Sequence, residues 1–564
     1  MDAAFWQIRQ LVDELVQQAT PQGAHKIDRS RDSEEIFKLL DHKIDTLTSF
    51  RDRVDAYLQN AIIEIKSHRN QHTPISRFPP EIYSRIFEFA CTEAEVDCGS
   101  IMLVSKLWRD IALSTPSLWT RINGGSAEFI ATCILRSKNA PLEIELPDFD
   151  SEEVDPDILI AMACTPEEQR FKEQMAPLTP QIHRWRCLTL ENIRPRHFWP
   201  EFCMAAPQLE MLDLALASYY PHDTEAPPPG ALHDLFAGAT PRLRSLRLGR
   251  ISVPLTSSIY RGLENLSIIA VDLHDATADD FLDVLKACPR LSSLQLNTVQ
   301  MSGPTLGPQS TIKLPRLSLI DISTMPCHAI RHIFSSIISP SLKGLSVMVD
   351  LDDDEAIHDA LPFDMAANFM RTVENIRIDR LLFQFHASRG GEDFFNVVGG
   401  NSETPSALYL WSTSSSLDSL LRGLFPRISS TFNLRDLTAL SVVGLPESDT
   451  ILTDFRQLLV HCGELRRLTL KDCWSSIPIS LRRVGADGPP CPKLSELSIS
   501  SSTPIDGWDL IEMVRTRQAV LENSQEVEDV TALQVLRITN PRPLDEEVVQ
   551  ALRGLVPNIE LKTA

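Results

Sequence analysis

Histidine pairs spaced four residues apart come closest to a metal site in this chain. His328 and His332 follow Cys327 on a predicted helix, and His68 and His72 repeat the spacing at the end of another. Two imidazoles at i and i+4 share one helix face, but zinc needs further ligands that the sequence does not supply at a fitting spacing. We therefore predict surface or half-buried histidines, no metal site and no cofactor.

The acidic segment 350–354 (DLDDD) begins like a calcium-binding loop. Such a loop needs glycine at its turn and glutamate at position twelve, where this chain has Glu355 or Ala356 and then Leu361. A solvated loop is the better interpretation. The sequence also lacks G-x-S-x-G, P-loop, dinucleotide and H-E-x-x-H motifs. We predict no catalytic residues and no enzyme; an enzyme with an unrecognised site in an insertion is an open alternative.

The overall charge disfavours polyanionic partners. The chain has 54 basic and 76 acidic residues, a net charge of −22 and a pI near 5.1. A phosphate backbone or an anionic bilayer would be repelled, so we expect neither nucleic acid nor membrane as partner. Eleven scattered cysteines without C-x-x-C and an N-terminus without signal-peptide features favour the cytoplasm, the nucleus or both.

Residues 1–73 are predicted to form a short amphipathic helix and a long coiled helix. Heptad positions over 34–68 are apolar apart from Arg51. They are Phe37, Leu40, Ile44, Leu47, Val54, Leu58, Ala61 and Ile65. A shorter stripe precedes them at Phe5, Ile8, Val12, Leu15 and Val16. The two helices either fold back on each other or pair with a second chain, and Arg51 on the seam weakens the second possibility.

Residues 74–122 are predicted to form short helices with more apolar surface than they can bury. Ile82, Ile86 and Phe89 lie on one helical stripe after a Pro-Pro start. A second stripe carries Ile101, Val104, Leu107, Trp108 and Ile111. About 48 residues of short helices cannot enclose all these side chains, so some must meet a partner or a neighbouring domain.

This segment resembles an F-box, most closely the F-box-like domains of large fungal families. The resemblance rests on Phe78-Pro79-Pro80-Glu81-Ile82, Ile86-Phe87, Val104-Ser105-Lys106-Leu107-Trp108-Arg109 and Ser117-Leu118-Trp119. It implies docking on the adaptor Skp1, which bridges to a cullin and the ubiquitin-conjugating machinery. The Skp1-binding residues implied, which would face the adaptor or support that face, are Phe78, Pro79, Ile82, Ile86, Val104, Leu107 and Trp108.

An internal repeat fills residues 183–564. The pattern apolar-x-x-apolar-x-apolar starts at Trp185, Leu209, Leu243, Leu263, Leu291, Leu317, Leu342, Val373, Pro405, Leu437, Leu465, Leu494, Leu533 and Val556. The mean spacing of about 28.5 residues falls within the range of leucine-rich repeats. The two closing apolar residues of each unit would point inward from a short strand, and the residue between them outward.

The predicted fold class is therefore α/β, with N-terminal coiled and F-box-like helices followed by a leucine-rich-repeat solenoid. Its parallel sheet would be concave and its helices convex, with helices over 277–288 and 450–462 among them. Residues 123–182 would be a linker or capping region, with a helix over 125–138 and a strand at Leu142, Ile144 and Leu146.

The outward positions of the predicted strands are the candidate target-binding surface. Arg247, Arg377 and Arg537 lie far apart, so no basic cluster indicates phosphopeptide capture. Tyr409 and Trp411 are the first hot-spot candidates, because aromatic residues often dominate interface energies. The leading hypothesis is a substrate-recruiting F-box subunit of a Skp1-cullin-F-box ubiquitin ligase with an unknown target protein. The alternative is a non-catalytic repeat scaffold whose helices do not bind Skp1.

Overall fold

The structure of the chain is a computed structural model. It describes residues 6, 9–10, 12–14, 33–93, 98–146, 166–193, 202–216, 235–302, 311–351, 360–363, 367–386, 393–414, 421, 423–446, 448–473, 480–482, 490–501, 505–523, 530–540, 542 and 544–563. The chain divides into two compact units, Met1–Leu118 and Trp119–Ala564.

The first unit contains one long helix. Helix α1 spans Ser33–Gln71, which confirms the helix predicted over 34–68. Its heptad side chains are largely exposed along the whole length, for example Phe37, Ile44 and Ile65. The shorter helix predicted over 5–16 lies largely outside the described residues.

Three short helices follow: α2 (Pro80–Glu93), α3 (Cys98–Met102) and α4 (Lys106–Ser114). Proline suits the first position of α2, where an N–H would have no helical partner. The carbonyl of Pro79 accepts a hydrogen bond from the N–H of Ile82 at 3.0 Å. The Ser105 hydroxyl oxygen caps α4 by accepting from the N–H of Trp108 at 3.1 Å. The local sequence thus defines where both helices begin.

The second unit is built on a 17-stranded sheet, with a separate pair formed by β8 and β10. The strands are β1 Arg121–Ile122, β2 Leu142–Leu146, β3 Trp185–Ile193, β4 Met211–Leu216, β5 Ser245–Gly249, β6 Asn265–Thr277, β7 Ser293–Ser302, β8 Ile312–Lys313, β9 Leu319–Ser323, β10 Ile337–Ile338, β11 Gly344–Asp350, β12 Arg380–His386, β13 Asp393–Gly400, β14 Leu408–Ser414, β15 Ala439–Val443, β16 Arg467–Lys471, β17 Glu496–Ser500, β18 Val535–Asn540 and β19 Asn558–Thr563. This is a mixed α/β fold with a large, mainly parallel sheet.

Neighbouring strands pair almost entirely in chain order. The sheet runs from β1 through β7 to β9 and β11, and from β15 through β19, with every pair in these two runs parallel. The repeat spacing explains this order, because each unit supplies one strand and one return segment to the same sheet.

The closing apolar residues of the repeat stack in register on one buried face. Leu212 pairs with Leu188 on one side and with Leu246 on the other, and all three are buried. Residues between them lie on the opposite face, which we call the open face. No single unit can enclose its own leucines, so each depends on its neighbours for burial.

Helices connect many of the strands and cover the buried face. They are α5 Ala127–Ser137, α6 Pro166–Leu178, α7 Ala278–Lys286, α8 Cys327–Ser336, α9 Ala367–Val373, α10 Leu424–Thr431, α11 Asp449–His461, α12 Gly507–Asn523 and α13 Glu546–Leu555. Helix α7 begins with the predicted capping box, in which Thr277 and Asp280 bond to each other's backbone N–H. The predicted helices over 125–138, 277–288 and 450–462 and the strand at 142–146 are confirmed.

Many strands carry a residue with a left-handed backbone conformation at the same position of the repeat. The second residue after the closing apolar residue has a φ between 48° and 74°. These residues are Asn192, Arg250, Ala270, Thr298, Thr324, Gly444 and Asp472. The N–H of Thr324 donates to the Met348 carbonyl at 2.9 Å, and that of Gly444 to Lys471 at 2.8 Å. At the ends of β9 and β15, this residue therefore extends the parallel ladder by one rung before the chain leaves the sheet.

The repeat predicted at Val373 is wrong in register. Strand β12 starts at Arg380, and the closing residues that align with β15 are Leu381 and Phe383. The unit therefore starts at Ile378, five residues later than predicted. Arg377 precedes the strand and does not occupy the outward strand position assigned to it. The error arose because Ile376 and Ile378 are also buried and fit the same apolar pattern.

Strand order is also reversed within this part of the sheet. Strand β11 pairs with β14, β14 with β13, β13 with β12, and β12 with β15. Strand β13 is antiparallel to both of its neighbours, whereas the other two pairings are parallel. The repeat pattern did not predict β13, since it assumes one parallel strand per unit.

Candidate protein-binding surfaces

Helix α2 is apolar on two sides. Tyr83 and Phe87 point inward and are 1% exposed. They pack with Ile101, Ile111 and Ala112 into the core of the three-helix segment. The Trp108 ring joins this core, with its centroid 5.0 Å from that of Phe87 and 6.0 Å from that of Tyr83. Trp108 thus supports the segment from within, although it was predicted among the adaptor-binding residues.

The other side of α2 and the adjoining loops expose large apolar side chains. Phe78 is 47% exposed, Ile82 43%, Ile86 38%, Val104 54% and Leu107 47%. We call this set, together with Phe89 and Leu103, the exposed apolar surface. Pro79 is also exposed. The structure therefore places every predicted adaptor-facing residue except Trp108 at the surface.

Two residues of the exposed apolar surface were not among the predicted adaptor-binding residues. Phe89 is 65% exposed and Leu103 is 80% exposed. Phe89 continues the stripe of Ile82 and Ile86 by one turn, so helical spacing could have identified it. Leu103 lies in the turn between α3 and α4 and has no periodic signal.

Hydrogen bonds between helices fix the shape behind this surface. The Tyr83 hydroxyl donates to the Ile75 carbonyl at 2.7 Å. Ser84 and Thr115 share a hydroxyl bond of 2.8 Å, and Ser117 donates to the Glu88 carboxylate at 2.6 Å. The last two bonds join residues about thirty positions apart, so α2 is held in one orientation against the end of α4.

Residues 75–124 match the family model described as F-box-like. The chain carries an F-box-like domain. The matched residues include α2, α3, α4 and the strand β1, and they contain the whole exposed apolar surface. Domains of this kind mediate contacts between proteins. No curated protein matches the chain.

The open face of the sheet is polar at its N-terminal end. Arg247 donates to Asp213 on the adjacent strand at 3.1 Å and to Glu191 at 3.3 Å. Ser267 donates to Gln295 at 2.9 Å, and Gln295 to Asp321 at 3.3 Å. Burial raises the pKa of Asp213, and the hydrogen bond from Arg247 opposes this rise. Burial lowers the pKa of the Arg247 guanidinium, but the carboxylates of Asp213 and Glu191 raise it by more, so this pKa is raised overall.

The C-terminal end of the open face repeats this arrangement. Arg537 contacts the Glu496 carboxylate at 3.4 Å and the Glu560 carboxylate at 3.3 Å. Its neighbours on both sides are thus acidic, as they are for Arg247. Both arginines were target-binding candidates, and in the structure each guanidinium is already neutralised by two carboxylates of its own chain.

The aromatic candidates lie in the middle of the open face, on β14. Tyr409 is paired with Ser346 of β11 and Val398 of β13, and Trp411 with Met348 and Asn396. Both rings alternate with the buried residues Leu408, Leu410 and Ser412 and are half-buried. Their register positions agree with the sequence prediction, and their role as target-binding residues stays a prediction.

The described residues contain no group of three or more histidine, cysteine or carboxylate side chains that could hold a metal. His332 is bonded to Asp279 at 2.8 Å between α8 and α7. A depression of about 260 Å³ on the open face is lined by residues that include Asp213, Arg247 and Gln295. Residues 352–354 of the acidic segment lie outside the described residues.

Six of the described cysteines of the sheet unit are buried, whereas Cys187 is half-buried and Cys203 exposed. Burial raises the pKa of Cys462 to about 12 and that of Cys473 to about 11. The Cys288 thiol donates to the Tyr260 carbonyl. Thiols with pKa values this high are poor nucleophiles at neutral pH. Among the described residues, no helix is long and apolar enough to span a bilayer.

Proposed function

We propose that this protein is a substrate-recruiting subunit of a Skp1-cullin-F-box ubiquitin ligase. Its F-box-like domain would bind a Skp1-like adaptor, and its sheet would bind the protein to be ubiquitinated. One observation carries the proposal: helix α2 buries Tyr83 and Phe87 in its own domain, while a second stripe of Ile82 and Ile86, about 100° around the helix, faces outward. A helix that is apolar on both sides is expected where a second protein covers one of them.

We interpret the sheet as a leucine-rich-repeat solenoid. The interpretation is supported by parallel strands in chain order, by leucines at matching register positions and by the left-handed residue that recurs two positions after the closing apolar residue. Stacked repeats offer an extended surface to a protein partner. In this proposal the protein performs no bond chemistry, and the cullin-bound machinery modifies the target.

The test is co-expression of the full chain with a Skp1-like adaptor, followed by co-purification. The variants Ile82→Asp and Leu107→Asp each place a charge in the exposed apolar surface. We expect both to lose the adaptor, because a carboxylate cannot be desolvated against an apolar partner without a compensating charge. Leu135→Asp is the matched control, since Leu135 is 79% exposed but lies outside the F-box-like domain.

Two results would contradict the proposal. The wild-type chain could fail to form a complex at micromolar concentration, which favours a repeat scaffold without an adaptor. Alternatively, Leu135→Asp could abolish binding as strongly as Ile82→Asp, which places the contact elsewhere. Circular dichroism and melting curves of all three variants establish that loss of binding is not loss of folding.

A further inference from the structure

The middle of the open face carries a cluster of apolar side chains. We call it the central patch and define it as Met348, Leu382, Phe394, Val398, Tyr409 and Trp411. Tyr409, Val398 and Leu382 follow one another in a single row across β14, β13 and β12. Met348 and Trp411 are paired in the next row, and Phe394 lies one row further along. All six side chains are half-buried on the face that the helices do not cover.

The reversed strands create this patch. In regular units the residue between the closing apolar residues is polar, as with Asp213, Ser267, Gln295, Thr469 and Ser498. In β12 and β13 the same row holds Leu382 and Val398. Burial within the chain does not require these residues, because the adjacent Leu381 and Phe383 already fill the core.

Charged side chains flank the patch on two sides with opposite sign. On one side, Asp321 lies on β9 and Asp350 on β11. On the other side, Arg467 and Lys471 lie on β16. None of the four forms an ion pair with another described residue, although Asp321 accepts a hydrogen bond from Gln295 at 3.3 Å and Asp350 accepts one from Thr413 at 3.1 Å. This differs from the two ends of the open face, where Arg247 and Arg537 are each held by two carboxylates.

We propose that the central patch binds an extended segment of the target protein with apolar side chains, a basic residue towards β9 and β11, and an acidic residue towards β16. The proposal rests on the proposed function, in which the sheet recruits the target. The patch spans the four adjacent strands β11, β14, β13 and β12, which is about 14 Å at a strand spacing of about 4.8 Å. About four extended residues at about 3.3 Å each cover that distance.

Charge complementarity selects this occupant. The carboxylates on one side and the ammonium and guanidinium groups on the other lack ion-pair partners within the described residues, so a segment with the opposite polarity would pair both ends. A uniformly basic or uniformly acidic segment would gain at one end and be repelled at the other. The aromatic pair Tyr409 and Trp411 would supply most of the affinity, as aromatic anchors do in protein interfaces.

The experiment displays random twelve-residue peptides and selects them on the full chain. We expect the enriched peptides to have an apolar centre, Lys or Arg at one end and Asp or Glu at the other. The variant Trp411→Ala should bind the selected peptides at least tenfold more weakly. Met211→Ala is the matched control, because Met211 is an exposed apolar residue on the same face but lies on β4, away from the patch, and this variant should bind them as the wild type does.

The double variant D321K/D350K keeps the proposal testable if Trp411→Ala does not fold. Selection on it should remove the basic end from the enriched peptides. The proposal is overturned if wild-type and Trp411→Ala chains select the same peptides, if the charges of the peptides show no polarity, or if Trp411→Ala converts a dimer of the chain into a monomer.

The adaptor test and the peptide test fail separately. The Trp411→Ala chain should still co-purify with the Skp1-like adaptor, because Trp411 lies in the sheet unit and not in the F-box-like domain. Loss of the adaptor with retained peptide selection would contradict only the ligase assignment. Retained adaptor binding without patch-dependent selection would contradict only the central patch.

Discussion

The F-box-like domain and the sheet are both rich in large apolar residues, but they bury these side chains to different extents. In the sheet, Leu440, Leu468 and Leu497 stack on one another and are at most 1% exposed. In the F-box-like domain, Ile82 and Leu107 remain more than 40% exposed. The inner units of the sheet bury their leucines because they have neighbours on both sides, whereas three short helices have no second layer. Apolar pattern alone therefore does not distinguish a core from a docking surface.

The largest expected effect tests this difference with one substitution in each region. Leu468→Ala should lower the free energy of unfolding of the sheet unit by about 2–5 kcal/mol, because it leaves a cavity between two strands. Leu107→Ala should lower stability by less than about 1 kcal/mol, since its side chain is 47% exposed. Denaturant titration of both variants measures the contrast. Equal losses in the free energy of unfolding of the two variants would show that Leu107 belongs to a core.

The next effect concerns the left-handed turn at the end of β15. Gly444 has a φ of 74°, and an added Cβ would lie 2.2 Å from the carbonyl oxygen of Phe385. Gly444→Ala should therefore cost about 1–3 kcal/mol through backbone strain. The control is Gly463→Ala, because a Cβ there meets nothing within 4 Å. Thermal melts should separate the two variants, and similar melting temperatures would refute the close approach.

A smaller effect is expected from removing the cap of α4. Ser105→Ala should cost about 1 kcal/mol by leaving the N–H of Trp108 without its acceptor. Hydrogen exchange should accelerate in the amides of α4 and stay unchanged in the sheet. Ser126→Ala is the equivalent change at α5 in the other unit. If Ser105→Ala also accelerated exchange in the sheet, the two regions would not be separate units of stability.

The smallest effect is a gain in stability. Thr324 is a β-branched residue with a φ of 50°, so Thr324→Gly removes a steric cost. Part of the gain is offset by the greater entropy of glycine in the unfolded chain, which leaves up to about 1 kcal/mol. Thr469→Gly, in the middle of β16, should instead lose about 0.5–1 kcal/mol. A rise in melting temperature for the first and a fall for the second would support the turn geometry.

Much of the sheet could be predicted from the sequence, because the apolar pattern of its strands is local and repeated. Leu212 and Leu214 are buried on either side of a residue that faces outward, as the pattern predicts. The capping box at Thr277 was visible for the same reason, since it depends on residues three apart. For Trp108 the resemblance left two roles open, facing the adaptor or supporting that face, because helical spacing places it beside the docking residues without saying which neighbour it meets.

The apolar repeat pattern could not predict the register of β12 or the reversed strand order around it. Ile376, Ile378, Leu381 and Phe383 are all buried, so the apolar spacing fits two registers. The two registers are distinguished by the pairing of Arg380 on β12 with Ala439 on β15. The neutralisation of Arg247 was equally hidden, because Glu191 is fifty-six residues away in the chain.

The sequence by itself determined the repeating strands, the starts of the helices and the excess of apolar side chains in the F-box-like domain. These features depend on residues a few positions apart, and over that distance the backbone geometry determines which residues share a face of a helix or strand. Tertiary structure alone decided which strand lies beside which, which charges are paired and which apolar residues stay exposed. Those outcomes depend on contacts between distant segments, and the same side chain is buried or exposed according to what packs against it.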